Sequence, residues 1–137
     1  MDIEYIERLD EKILGLLDKE FRIYASKRGI NSNYQFFTFI AREKDEIASV
    51  LKGHSNYEEV IVEDFIVIEK YRGKGIGTKV LKKVEEYHKT KGFKCMSLCT
   101  YAFQAPEFYK KCGFTLEFIR ESKENPRLTK YFFVKCF

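Results

Sequence analysis

The sequence predicts an α+β (mixed α/β) domain: a twisted mixed sheet of about seven strands with helices on both faces. Three observations predict it. Aromatic and β-branched runs bounded by turn residues recur along the 137 residues, which is the pattern of strands. Apolar residues at spacings of three and four mark helices between some of them. Those helices separate the later strands, as crossovers do in a sheet covered on both sides. The length suits a single domain over residues 1–137. At that size a core buries roughly 65–70% of the unfolded chain's surface, so no metal or disulfide staple is required.

Taken in order, residues 2–7 set Ile3 and Tyr5 against Glu4, Ile6 and Glu7, and read as a short strand. Asp10 caps a helix whose apolar stripe is Leu9, Ile13, Leu16, Leu17, Phe21 and Tyr24, with Gly29 as its C′ residue. Gly15 inside this helix costs about 1 kcal/mol relative to alanine, so its packing must hold it. "YQFFTFIAR" (34–42) is a strand, "EKDE" a hairpin turn and "IASVLKG" (47–53) the returning strand. After the polar "HSNYEE", "VIVEDFIVIE" (60–69) carries the Val, Ile and Phe density of a central strand. Residues 75–91 form a helix with Ile76, Val80, Val84 and Tyr87 as its buried face. "FKCMSLCTY" (93–101) is a second central strand. Pro106 opens a short helix that Gly113 ends. The strands 114–121 and 129–137 close the chain.

Composition narrows the function. The 45% hydrophobic content, with 13 Phe and 9 Tyr, argues for a filled core and against disorder. A net charge of +4 from 25 basic and 21 acidic residues gives no concentrated basic face, so no nucleic-acid partner is expected. The lysines of 79–94 are interleaved with Glu85 and Glu86 and read as a solvated face, with Glu85 and Lys89 an i, i+4 pair. The four cysteines contain no CxxC, which disfavours a zinc ribbon, and no metal site is expected. Cys95 and Cys99 on one strand stand about 13 Å apart, too far for a disulfide, so free thiols in a reducing compartment are expected. The acidic start "MDIEYIERLD" has no apolar h-region, and no run approaches the ~20 apolar residues of a membrane span. A cytoplasmic protein with no membrane partner is the expectation.

The chemistry concentrates in "YRGKGIGTKVL" (71–81), between a buried strand and a helix start. Gly77 is followed by Thr78-Lys79, the wrong order for a Walker loop. Gly73-x-Gly75 is followed by Thr78 where a dinucleotide fingerprint needs its third glycine. What remains is Arg72-x-x-Gly75-x-Gly77. The first amides of a helix lack intrahelical acceptors and share the positive end of the macrodipole. Glycines let an anion approach that backbone, and Arg72 and Lys74 add charge. A glycine pair alone suits a plain strand-to-helix turn equally well; three glycines with two cations favour a pyrophosphate cradle over residues 72–78, including Ile76 and Thr78.

These residues resemble the acyl-CoA-binding motif of the GNAT N-acetyltransferases, [RQ]xxGx[GA]. A second stretch, "FQAPEFYKKCGF" (103–114), is similar to that family's later helix motif through Ala105, Phe108, Tyr109, Gly113 and Phe114. The element order matches over nearly the whole chain. Two positions depart: Ala102 stands where the family often has Asn, and Glu69 where it often has Pro. Gln104 is the candidate to replace the Asn contact with the cofactor's arm.

The resemblance implies a GNAT-like fold, mostly antiparallel and splayed at its central strands. It implies acetyl-CoA as cofactor and transfer of the acetyl group to a primary amine of a small molecule or peptide, by direct attack in a ternary complex. The backbone of Phe65, Ile66, Val67 and Ile68 would offer oxyanion donors, and Phe108 would line the cofactor site. Tyr109 would protonate the leaving thiolate, since a phenol of ordinary pKa about 10 holds its proton at neutral pH. Glu63, upstream of the strand's bulge, would take the amine's proton, and Asp64 would point to the opposite face. A nucleophilic Cys112 would want a histidine, yet His88 is expected on the outer half of its helix and His54 in a turn region. The resemblance admits a homodimer. An alternative is an acyl-CoA-binding sensor or partner module of the same fold without turnover.

Overall fold

The structure is a computed structural model that describes residues 1–137. The chain divides into two compact units, residues 1–34 and 35–137. The first contains α1 (Glu11–Ser26). Asp10 caps it as expected, its Oδ1 accepting from the Ile13 N–H at 2.8 Å. Gly29, at φ 73°, ends the helical segment while the Gly29 and Ile30 amides donate back to Ser26 and Ala25. Residues 2–7 form no strand. The alternation holds through Ile3, Glu4 and Tyr5 and lapses at Ile6; a strand moreover persists only through ladder bonds to a neighbour, and Ile3 and Tyr5 remain exposed.

The second unit runs β1 (Gln35–Glu43), β2 (Glu46–Asn56), β3 (Glu59–Val67), α2 (Ile76–Lys89), β4 (Cys95–Tyr101), α3 (Pro106–Lys111), β5 (Thr115–Arg120) and β6 (Lys130–Cys136). The sheet therefore has six strands rather than about seven, in the order β1-β2-β3-β4-β6-β5. Only β3 and β4 are parallel; the other neighbours are antiparallel. Two-residue turns at Lys44–Asp45 and Tyr57–Glu58 close the first hairpins, so β2 runs on through His54.

The core lies on one face of this sheet. Leu51, Val60, Met96, Leu98 and Phe133 of the strands pack with Val80, Leu81 and Val84 of α2 and Tyr109 of α3. The buried stripe of α2 ends on His88, not Tyr87. Positions 76, 80, 84 and 88 are successive i, i+4 steps, and that geometry overrides the greater apolarity of tyrosine. His88, 2% exposed, donates its Nδ1–H to the Val84 carbonyl oxygen at 2.8 Å. Its ring packs on Phe37, centroids 4.5 Å apart, and on Phe93. Burial depresses its pKa, the positive Lys91 adding to that and the Val84 bond opposing it.

Two irregularities position the site. β3 pairs with β4 only at Glu59–Cys95, Val60–Met96 and Ile61–Ser97. Yet β3 stays paired with β2 out to Val67, and β4 with β6 out to Tyr101. Beyond Ile61 and Ser97 the sheet parts into two arms. The second irregularity is a bulge: Lys52 opposes Asp64 while Gly53 opposes Val62, which leaves Glu63 as the extra residue. Gly53 is required there. A Cβ on it would stand 2.1 Å from the Ile61 carbonyl oxygen.

Candidate functional site

A cleft of about 1080 Å³ opens between the two arms. Its first wall is β3. The Ile68 N–H donates to Ala48 at 2.8 Å, and the Ile66 carbonyl accepts from Ser49 Oγ at 2.9 Å, so both residues turn their polar groups toward β2. Successive residues of a strand alternate in this respect. Phe65 and Val67 therefore turn theirs to the parted side. The Val67 carbonyl is there, accepting from Arg72 Nε at 2.9 Å. Of the expected donors Phe65 to Ile68, two amides face the opening and two face β2, and Ile68 is absent from the lining.

The glycine loop forms the end of the cleft. A 3-10 turn (Glu69–Tyr71) follows β3 and leads to Gly73 and Gly75, both left-handed at φ 75° and 79°. Gly75 is the N-cap of α2, and the first intrahelical bond runs from the Lys79 N–H to its carbonyl. The Ile76, Gly77 and Thr78 amides precede it and have no intrahelical acceptor. No acidic side chain occupies this first turn. Gly77 has a second role: a Cβ on it would lie 3.0 Å from the Phe108 ring. Arg72, Gly73, Gly75, Ile76, Gly77 and Thr78 all line the cleft. Lys74 does not; its ammonium lies 5.6 Å from the Tyr71 ring centroid.

The opposite wall comes from β4 and α3. Phe108 and Tyr109 both line it, and of the two Tyr109 is the more deeply buried. Phe108 is half-buried, with its ring 6.3 Å from that of Phe65 across the opening. Tyr109 is 8% exposed and packs on Phe114 and Phe133. Its burial, followed by the nearby Cys112 and Cys99, pushes the phenol up to about 12. Gln104 lines the cleft too, with Oε1 turned back to accept from the Tyr101 N–H at 2.9 Å and from Thr100.

Glu63 is itself the bulge residue rather than upstream of one. The extra residue breaks the two-residue alternation, so Glu63 and Asp64 do not diverge to opposite faces: both reach Lys52 Nζ, at 3.5 and 3.0 Å. His54, on β2 rather than in a turn, meets Glu63 through Nδ1 at 2.5 Å. Sequence reasoning missed Lys52, His54, Cys99, Thr100 and Phe103 around this site. For His54 the signal was Gly53 beside it, the glycine that permits the bulge. Cys112 has Thr78 Oγ1 at 3.9 Å. Glu85 pairs with Lys135 at 2.9 Å instead of with Lys89.

The site thus combines an opened strand edge, a bare helix N-terminus and a protonated phenol in one elongated cleft. These residues fit a molecule with an anionic diphosphate at one end and a polarisable carbonyl at the other. Comparison with known proteins agrees. The sequence model of the acetyltransferase (GNAT) family matches residues 5–114. Blasticidin-S acetyltransferase of Streptomyces morookaense is 30% identical over 83 residues, covering 59% of this chain and 60% of that protein's length. An acetyltransferase from Bacillus cereus ATCC 14579 superposes with a TM-score of 0.74 at 24% identity, covering 98% of each chain. An aminoglycoside 6'-N-acetyltransferase complexed with coenzyme A superposes at 0.66 with 14% identity, covering 99% of this chain and 97% of its own. Members of the matched family use acetyl-CoA. The match over residues 5–114 spans both motifs and the whole cleft, and the chain belongs to the GNAT acetyltransferase family.

Proposed function

We propose that residues 1–137 act as one domain that transfers an acetyl group from acetyl-CoA to a primary amine of a small molecule or peptide, by direct attack in a ternary complex. The observation that carries this is the parting of β3 from β4, which brings two main-chain N–H groups, the α2 N-terminus and Tyr109 into one cleft. Bound acetyl-CoA supplies an activated thioester. The Ile76, Gly77 and Thr78 amides hold its diphosphate, with Arg72 pinned nearby by the Val67 carbonyl. The Phe65 and Val67 N–H groups are fixed donors for a carbonyl oxygen that gains charge, and fixed donors cost no reorganisation during reaction. Tyr109 stays protonated at neutral pH and is the proton source for the leaving thiolate. Glu63 accepts the amine's proton. Its carboxylate is steered by His54 and Lys52 at the bulge.

The test is a free-thiol release assay with acetyl-CoA and a panel of amines spanning antibiotics, polyamines, amino-acid derivatives and peptide N-termini. At least one amine should release thiol at a rate well above hydrolysis, with a matching acetylated product by mass spectrometry. Cofactor binding without release on any amine would instead leave a binding module of the same fold.

A further inference from the structure

We propose that Cys95 and Cys136 form a redox modification site, a dithiol that closes to a cross-strand disulfide where the two arms of the sheet meet. The inference stands independently of acetyl transfer. The two residues are register partners in the antiparallel β4–β6 ladder. Just outside them, the Phe137 N–H donates to the Lys94 carbonyl at 2.9 Å. Hydrogen-bonded and non-hydrogen-bonded pairs alternate along such a ladder, so Cys95 and Cys136 occupy a non-hydrogen-bonded pair. At those positions Cα atoms stand about 4.5 Å apart with side chains on one face, inside the ~4.4–6.8 Å range that a disulfide spans.

The other cysteines lack this arrangement. Cys99 faces Phe132 across the same ladder, and Cys112 lies beside Thr78. Exposure divides the labour within the pair. Cys136 is exposed and meets a dissolved oxidant first, whereas Cys95 is half-buried. Burial, with acidic Glu59 and the sulfur of Cys136 adding to it, pushes the Cys95 thiol up, which keeps Cys95 protonated and slow to react and leaves the first encounter with oxidant to Cys136. With a hydroperoxide, the Cys136 sulfur attacks the peroxide, the O–O bond breaks, and a sulfenic acid and water form in the hydrogen peroxide case. The Cys95 sulfur then attacks the sulfenic sulfur. The S–S bond forms, the S–O bond breaks, and hydroxide leaves with the Cys95 proton as a second water. The two sulfurs lose two electrons and the peroxide gains them.

The location gives the bond a consequence. Cys95 is also the register partner of Glu59 at the last joined stretch of β3 and β4. The closed loop contains α3 and β5, so the disulfide ties the cleft's second wall to the junction of the arms.

The experiment exposes the reduced full chain to hydrogen peroxide, blocks remaining thiols, and maps the peptides without reduction. A Cys95–Cys136 cross-link within the monomer is expected, reversed by dithiothreitol, with Tm raised in the oxidised form. Cys136→Ser, at an exposed position, should abolish the cross-link and the Tm rise; Cys99→Ser and Cys112→Ser should keep both. The proposal is overturned by cross-links joining other cysteines, by covalent dimers through Cys136 in place of the internal link, or by Cys136 reaching the sulfinic acid while Cys95 remains blockable.

Discussion

In the proposed reaction Tyr109 serves both packing and chemistry. Its ring belongs to the core, and the same burial raises its pKa to about 12. A phenol so placed holds its proton throughout the neutral range, and the alkaline limb that an ordinary phenol would give near about pH 10 should be missing from kcat. Tyr109→Phe keeps the ring and removes the proton, so kcat should fall on the order of 100-fold while cofactor affinity changes little. Steady-state rates and a binding titration check this; a variant at full rate excludes Tyr109 as the donor. His88 titrates in the other sense. Its folded pKa lies below the usual value of about 6.5, so the unfolded chain binds the proton first on acidification. Stability linked to this residue is intact above about pH 6.5 and is lost as pH falls from there through the folded value. Thermal melts at about pH 7.5 and 5.5 should show a larger acid-side loss of Tm for the native chain than for His88→Phe, whose ring cannot titrate. An equal loss in both would show that His88 does not contribute.

At the scale of elements, the decisive one is the bulged β3 against β2. Gly53→Ala places a methyl 2.1 Å from a backbone carbonyl, which no rotamer change relieves. We expect a loss of about 2 kcal/mol in stability. We also expect a fall in kcat, because the bulge sets Glu63 against His54 and Lys52. Gly15→Ala in α1 meets nothing within 4 Å and should instead stabilise by about 0.5–1 kcal/mol. Denaturant melts of the two variants check the contrast; a neutral Gly53→Ala would remove the strain argument. This element also marks where reading the sequence stops. The α2 stripe from Ile76 through Val84 and the glycine loop were legible because both are local, i, i+4 spacing and adjacent glycines needing no partner; the stripe's end is misplaced at Tyr87 when apolarity is weighed above that spacing. The 53–63 bulge, the His54–Glu63 contact and the Cys95–Cys136 register depend on which strand residue opposes which. That is decided by long-range pairing and leaves only faint marks, such as a glycine inside a strand. Residues 2–7 erred in the opposite direction, since alternation without a neighbouring strand specifies nothing.

Across the molecule, the cleft exists because two arms of one sheet are joined over three register pairs and then part. A parted sheet leaves backbone groups on the inner edges of β3 and β4 without strand partners, and a ligand that satisfies them restores part of what pairing would supply. An extended cofactor between Phe65 and Val67 on one arm and Gln104 and Phe108 on the other would therefore bridge the arms. Unfolding disperses these groups, so binding is selective for the folded chain. At a concentration near 100 times its Kd, such a ligand adds about 2.7 kcal/mol to stability. For a domain of this size that raises Tm by on the order of 5–15 °C. Acetyl-CoA should produce this shift in a thermal melt. Coenzyme A without the acetyl group should produce most of it, because the diphosphate and arm contacts are shared. Arg72→Ala and Gly75→Val should reduce it, the second more strongly, since a β-branched side chain cannot hold φ 79° at the N-cap. An unmoved Tm at saturating acetyl-CoA would remove the diphosphate cradle, and with it the acetyl-transfer reading, while leaving the Cys95–Cys136 site to be judged by its own cross-link.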